Sequence, residues 1–127
     1  EVVLTPKIAT MPQTPPYIKG VANIRGNIIA IMDLEQKFGL GNPSNLHRQV
    51  DSNYTLVVES DKFKVGILVK EVPNTLSVAV SAIDNASDFV QYSSLDADAL
   101  IGVVKVDERM IILIDMIKLI EVEGIHL

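Results

Sequence analysis

One pattern occurs twice in this chain, 82 residues apart, and few folds accommodate such a duplication. When residues 20–38 are set against residues 102–120, Gly20 meets Gly102, Val21 meets Val103, Ile29 meets Ile111 and Asp33 meets Asp115. Apolar positions recur between them: Ile24 with Val106, Ile28 with Met110, Ile31 with Leu113, Met32 with Ile114, and Leu34 with Met116. Each copy reads as strand, tight turn, apolar strand, Asp cap and short helix. The repeat predicts two related β-lobes. Either one is too small to bury much surface alone, so each is expected to need the other.

The remaining elements fit a mainly β chain. Runs rich in Val and Ile predict strands over residues 19–25, 27–32, 54–59, 63–70, 76–80, 102–107 and 109–114. Side chains branched at Cβ suit a pleated, half-buried surface better than a helix. Residues 28–32 and 110–114 are unbroken apolar runs, the pattern of strands covered on both faces. Helices are few and short. Asp33 is placed to cap residues 34–38, with Gln36 completing a capping box and Gly39 ending the turn. Asp115 stands in the same place before residues 116–120. Residues 39–53 carry Gly, Pro, Ser and Asn without periodicity and read as a surface loop, and residues 95–100 read as a further helical turn.

Composition narrows the function. The chain has 127 residues, 48% of them apolar and 21% charged, the balance of one globular domain with a core. Net charge is −5 and the basic residues are scattered. Nucleic acid and anionic membrane surfaces are therefore poor partners, because both are held through grouped Lys and Arg. No apolar run approaches the roughly 20 residues needed to span a bilayer, and no signal peptide opens the sequence. Cysteine is absent, which fits a reducing compartment. The first residue is Glu1 rather than Met, so the sequence is expected to start inside a longer chain.

A reactive set is not evident. His47 falls in the predicted loop and His126 beside the C-terminus, outside any HExxH arrangement, and no cysteine completes a metal set. A Gly-x-Ser-x-Gly elbow is missing. Gly39-Leu40-Gly41 lacks the Lys-Ser/Thr of a phosphate loop and reads as a turn. The acidic pairs Asp96 with Asp98 and Glu121 with Glu123 read as solvated surface. We expect no catalytic residue, no metal and no cofactor.

The stretch PQTPPYIKGVANIRG, residues 12–26, is more informative. Pro15 and Pro16 suppress helix, so the chain enters its strand extended. Arg25 then sits at the strand end beside Gly26 among apolar neighbours. Such an arginine either meets a carboxylate or turns to water, and spacing alone leaves both open.

From Thr14-Pro15-Pro16-Tyr17-Ile18-Lys19-Gly20-Val21-Ala22-Asn23-Ile24-Arg25-Gly26 through Asp33-Leu34, the sequence resembles the CheW family of bacterial chemotaxis coupling proteins. The resemblance continues through residues 63–69 and from Gly102 to Asp115, and covers nearly the whole chain except residues 39–53. It implies two SH3-like β-barrel subdomains packed together, with short helices. It also implies a non-catalytic scaffold of a two-component chemotaxis system. The expected partners are the regulatory domain of the CheA histidine kinase and the cytoplasmic tips of methyl-accepting chemoreceptors. Such a protein is cytoplasmic and recruited to membrane-associated receptor arrays.

By the same resemblance, Glu1 aligns with a carboxylate that the family places near the arginine of its NxRG motif, here Arg25. Glu1, Val2, Gly20, Arg25, Gly66 and Thr75 are implied at or beneath a receptor groove. A need for close backbone approach competes with that role at Gly20 and Gly66. Lys19, Ile28, Tyr54 and Phe89 are implied in kinase contacts, and Asp84 departs from relatives that carry a basic residue there.

The family has two strands ahead of Glu1. The first lobe is therefore expected to be an incomplete barrel with an exposed edge. A neighbouring copy in a strand-exchanged oligomer, or residues outside these 127, would supply the missing strands. The lobes are expected at residues 1–53 plus a C-terminal segment, and at residues 54–114. Alternatives are a CheW-like module of a CheV-type or CheA protein and, from another class, a β-barrel with a small ligand or enzymatic site.

Overall fold

The computed structural model describes residues 1–38, 54–85 and 99–123, with side-chain surroundings through residue 120. Eight strands and two helices follow in order: β1 (Val2–Leu4), β2 (Ile18–Ile24), β3 (Asn27–Met32), α1 (Leu34–Lys37), β4 (Tyr54–Glu59), β5 (Lys64–Val69), β6 (Ile83–Asn85), β7 (Leu100–Val106), β8 (Arg109–Ile114) and α2 (Met116–Glu123). The chain divides into two units, Glu1–Pro73 with Ile125–Leu127, and Asn74–Gly124.

Each unit is built on the repeated hairpin, and the two copies agree residue by residue. β2 pairs antiparallel with β3 from Ile24↔Asn27 to Ile18↔Met32, with a bulge between Ile18 and Gly20. β7 pairs with β8 from Val106↔Arg109 to Leu100↔Ile114, with the same bulge between Leu100 and Gly102. A backbone segment lies beside each bulge: Ala9 makes an isolated bridge to Val21 in the first unit, and Asp84 of β6 pairs with Val103 in the second. A Cβ at Gly20 would stand 2.1 Å from the Ala9 carbonyl oxygen, and one at Gly102 would stand 2.6 Å from that of Asp84. Both glycines are required by the approach of another backbone. Gly20 also has φ near +141°, which side-chain-bearing residues rarely adopt.

Helix entry repeats as well. The Asp33 amide donates to the Tyr17 carbonyl at 2.7 Å, and the Asp115 amide donates to the Ala99 carbonyl at 2.7 Å. Each aspartate then caps its helix: Asp33 Oδ1 accepts the Gln36 amide and Asp115 Oδ1 accepts the Lys118 amide. The expected capping box is half formed, because the Gln36 side-chain oxygen accepts from Lys19 Nζ. α2 runs beyond the expected residue 120 to Glu123.

The first sheet has the order β1-β4-β5-β3-β2, antiparallel except where β3 runs parallel to β5. Cross-strand partners share a face. One face gathers Ala22, Ile24, Ile29, Ile31 and Val57, with Val3, Ile8 and Leu68 against them, as one core cluster, and the opposite face also buries Ala30, Met32, Val65 and Ile67. Thr55, fully buried, faces the same way as Val57 and shares a hydrogen bond with the Thr5 hydroxyl at 3.0 Å.

Two expectations are corrected here. The strand deficit foreseen in the first lobe is not found: its sheet has five strands, and Ala9 bridges from the β1 side back to β2 at the opposite edge. The boundary foreseen between residues 53 and 54 also moves. β4 and β5 pair with β1 and β3, so residues 54–73 belong to the first unit.

The second sheet has three strands among the described residues, in the order β6-β7-β8. Residues 76–80 form no ladder with any described residue despite their strand-like alternation, and Val80–Ala82 make a single 3-10 turn. Residues 110–114 are not covered on both faces: Met110 is 63% and Ile112 is 48% exposed. By contrast, β3 has a second strand on its outer edge, and Ile29, Ala30, Ile31 and Met32 are all buried. The expected loop over residues 39–53, His47, Phe89, Asp96, Asp98 and His126 lie outside the described residues, as does most of the turn expected over 95–100.

Gly20→Ala should cost about 3 kcal/mol or prevent folding, because the new methyl meets backbone at a positive φ. Gly66→Ala should cost about 1 kcal/mol, because its methyl meets the ends of the Ile31 and Thr55 side chains. Urea unfolding of the two variants checks the difference.

Candidate functional site

The β2–β3 turn creates the site. Ile24 pairs with Asn27, leaving Arg25 and Gly26 as a two-residue loop with φ of 51° and 85°. Positive φ at both central residues is what a type I′ connection requires, because its twist matches the strands. Gly26 adopts this freely, and the Asn23 side-chain oxygen accepts its amide at 2.9 Å. For Arg25 the conformation is uncommon, and backbone strain at a non-glycine residue often marks a functional position. The repeat places Asp107 at the matching position, with φ 55°.

Arg25 does meet a carboxylate. Its Nη2 lies 2.5 Å from Glu1 Oε2, with the two side chains 69% and 38% exposed. Glu1 is held on the far side of the sheet order, where its carbonyl accepts the Val57 amide at 2.7 Å. The pair thus links the β1 side to the β2–β3 turn across one end of the first unit. Val2, next on β1 and paired with Leu56, faces away from the core and is 38% exposed. An exposed ion pair of this kind contributes little to stability, and its charges stay available to a partner.

The other expected positions separate by place. Gly20 and Gly66 are buried within the sheet, where each admits a close neighbour. Thr75 is exposed and belongs to the second unit. Of the residues implied in kinase contacts, Ile28 is 60% exposed at the Arg25 end of β3, on the face that carries Ala30 and Met32. Lys19 and Tyr54 are half-buried at the opposite end, where α1 begins. There Lys19 is engaged by Gln36, and Tyr54 pairs with Leu4. Around α1, Lys70 bonds Glu35 at 3.1 Å and the Lys37 ammonium lies 4.4 Å from the Tyr17 ring centre.

Sequence reasoning missed one exposed apolar residue: Leu4, 74% exposed and beside Tyr54. The strand Val2–Leu4 itself was unassigned, although its Val-Val-Leu run carried the signal. Among the described residues, no group of three His, Asp or Glu side chains is placed to hold a metal ion. No helix among them is long and apolar enough to cross a membrane.

A mainly β chain with a strained, charge-bearing turn at one end, flanked by exposed apolar side chains, has the character of a protein-binding module. The CheW-like domain family matches residues 1–124, and the chain belongs to this family. It is similar to the chemotaxis protein CheW of Klebsiella aerogenes, at 33% identity over 121 residues, covering 95% of this chain and 69% of the relative. It is 29% identical to the chemotaxis protein CheW of Thermotoga maritima over 116 residues, covering 90% of this chain and 70% of that one. The crystal structure of the scaffolding protein TtCheW from Thermoanaerobacter tengcongensis superposes with a TM-score of 0.76 at 31% identity, over all of this chain and 78% of the other. As a member of this family the chain is a chemotaxis adaptor and not an enzyme.

A double-mutant cycle on Arg25 and Glu1 should return a coupling of about 0.5 kcal/mol that fades in about 1 M salt. Arg25→Asn should leave stability within about 1 kcal/mol of the parent, since Asn tolerates the left-handed turn. Denaturant unfolding at low and high salt measures both.

Proposed function

We propose that the chain couples the CheA histidine kinase, through its regulatory domain, to the cytoplasmic tips of methyl-accepting chemoreceptors. In this reading it works in the cytoplasm at membrane-associated receptor arrays. The observation that carries the proposal is the Glu1–Arg25 pair, presented on a strained turn. Fixed charges of this kind set register and steer encounter, while neighbouring apolar surface provides affinity. Val2 supplies such surface beside Glu1 and Ile28 supplies it beside the turn. The receptor is therefore assigned to Glu1, Val2 and Arg25, with Gly20 and Gly66 shaping the strands beneath, and Thr75 is a further proposed receptor contact.

The kinase is assigned to Ile28, with Lys19, Tyr54 and Phe89 as further contacts. A large apolar side chain left 60% exposed suits an interface anchor.

The two assignments separate in a capture experiment with a purified CheA regulatory domain and a receptor-tip fragment. Arg25→Asn should weaken receptor capture by about 5- to 30-fold and leave kinase capture unchanged. Ile28→Asp should do the reverse. Undiminished capture of both partners by both variants contradicts the assignments, and failure of the parent chain to capture either contradicts the coupling role.

A further inference from the structure

Both repeat hairpins close with a two-residue loop: Arg25 and Gly26 between Ile24 and Asn27, and Asp107 and Glu108 between Val106 and Arg109. The two loops are different turns. φ is positive at both central residues of the first, 51° and 85°, but in the second it is positive at Asp107 alone, 55°. Positive φ at both residues marks type I′, and positive φ at the first alone is the pattern of type II′. These turns differ by a flip of the peptide between the central residues, whose N–H and carbonyl point to opposite sides.

In the first hairpin that peptide is held in place. The Gly26 amide donates to Asn23 Oδ1 at 2.9 Å. Asn23 is exposed and pairs across the hairpin with Ile28, so its side chain makes this bond outside the ladder between β2 and β3. Its mate in the repeat is Lys105, whose side chain carries donors only and cannot accept an amide. Glu108 stands where Gly26 does. A Cβ at Gly26 would meet nothing within 4 Å, so glycine serves there for its φ and not for space. Yet the second hairpin forms in the same register, with the same bulge, without the asparagine or the glycine. Making the hairpin therefore requires neither. What distinguishes the first hairpin is a fixed central peptide beside a guanidinium that reaches Glu1.

We propose that Asn23 is a positioning residue for partner recognition. By holding the Gly26 amide it keeps the turn in its type I′ form, and with it Arg25 in the left-handed conformation that meets Glu1. Arginine has no preference of its own for that conformation, unlike asparagine or aspartate. With the central peptide free, the loop would exchange between turn types, and binding would have to order it. A cap made outside the ladder orders the loop before the partner arrives. This role rests on the assignment of the receptor to Arg25 and adds a residue that acts through it.

Affinity for a receptor-tip fragment, measured on the parent chain, Asn23→Ala, Arg25→Asn and the double variant, tests it. Asn23→Ala should weaken binding about three- to tenfold, with Gly26 amide exchange at least about fivefold faster and the urea midpoint unmoved. In the Arg25→Asn background the same change should alter affinity by less than about 1.5-fold. There the arginine it places is gone, and Asn-Gly keeps a type I′ turn unaided. Equal losses in both backgrounds overturn the proposal, because Asn23 then touches the receptor or supports the hairpin at large. So does an Asn23→Ala chain that binds as the parent does while Arg25→Asn binds weakly, or one whose Gly26 amide exchanges no faster. Unchanged binding by Arg25→Asn overturns the receptor assignment, and this role with it.

Discussion

The structure depends on one backbone crossing, made twice. In each unit a backbone segment passes so close over the bulge of a hairpin that only glycine fits beneath it, at Gly20 under Ala9 and at Gly102 under Asp84. The crossing joins the edge segment to the hairpin, and the bulge twists the strand toward it. In the first unit this brings the chain from β1 back to β2, and with it Glu1 to Arg25. The candidate binding surface is therefore a consequence of curvature that two glycines permit.

The same geometry explains how the first unit can be stable while its site stays open. The core face is packed by branched aliphatic side chains, and its central members are almost wholly buried. Burial of that kind contributes about 25 cal/mol per Å² of apolar surface, far more in sum than one exposed ion pair. Arg25 and Glu1 are thus free to serve recognition, because the fold does not rely on them. The strain at Arg25 is tolerable for the same reason: a residue disfavoured in its turn persists where the surrounding hairpin determines the turn.

Much of this was legible in the sequence. β3, β4 and β8 fall where their Val- and Ile-rich runs predicted, and the repeat found by aligning Gly20 with Gly102 is realised down to the bulge. The Arg25–Glu1 contact follows from the family resemblance rather than from spacing, which left the arginine's partner undecided. What sequence could not show was pairing. Residues 76–80 alternate as a strand should, but alternation describes a face and not a neighbour, and no described strand lies beside them. The expectation of a defect in the first unit came instead from the family's two strands ahead of Glu1; the strands that fill its sheet, β5 parallel to β3 among them, are brought in by long-range contacts that no local pattern encodes.

The central claim is that the Arg25 end of the first unit is a protein-binding surface and the sheet interior is scaffold. Amide chemical-shift mapping of the labelled chain, titrated with a receptor-tip fragment, tests it most directly. The expected result is a contiguous set of perturbations at Val2, Arg25, Gly26 and their strand neighbours, saturating with the fragment and leaving residues 116–120 of α2 unmoved. Perturbations confined to the second unit, or absent at saturating fragment, would contradict it.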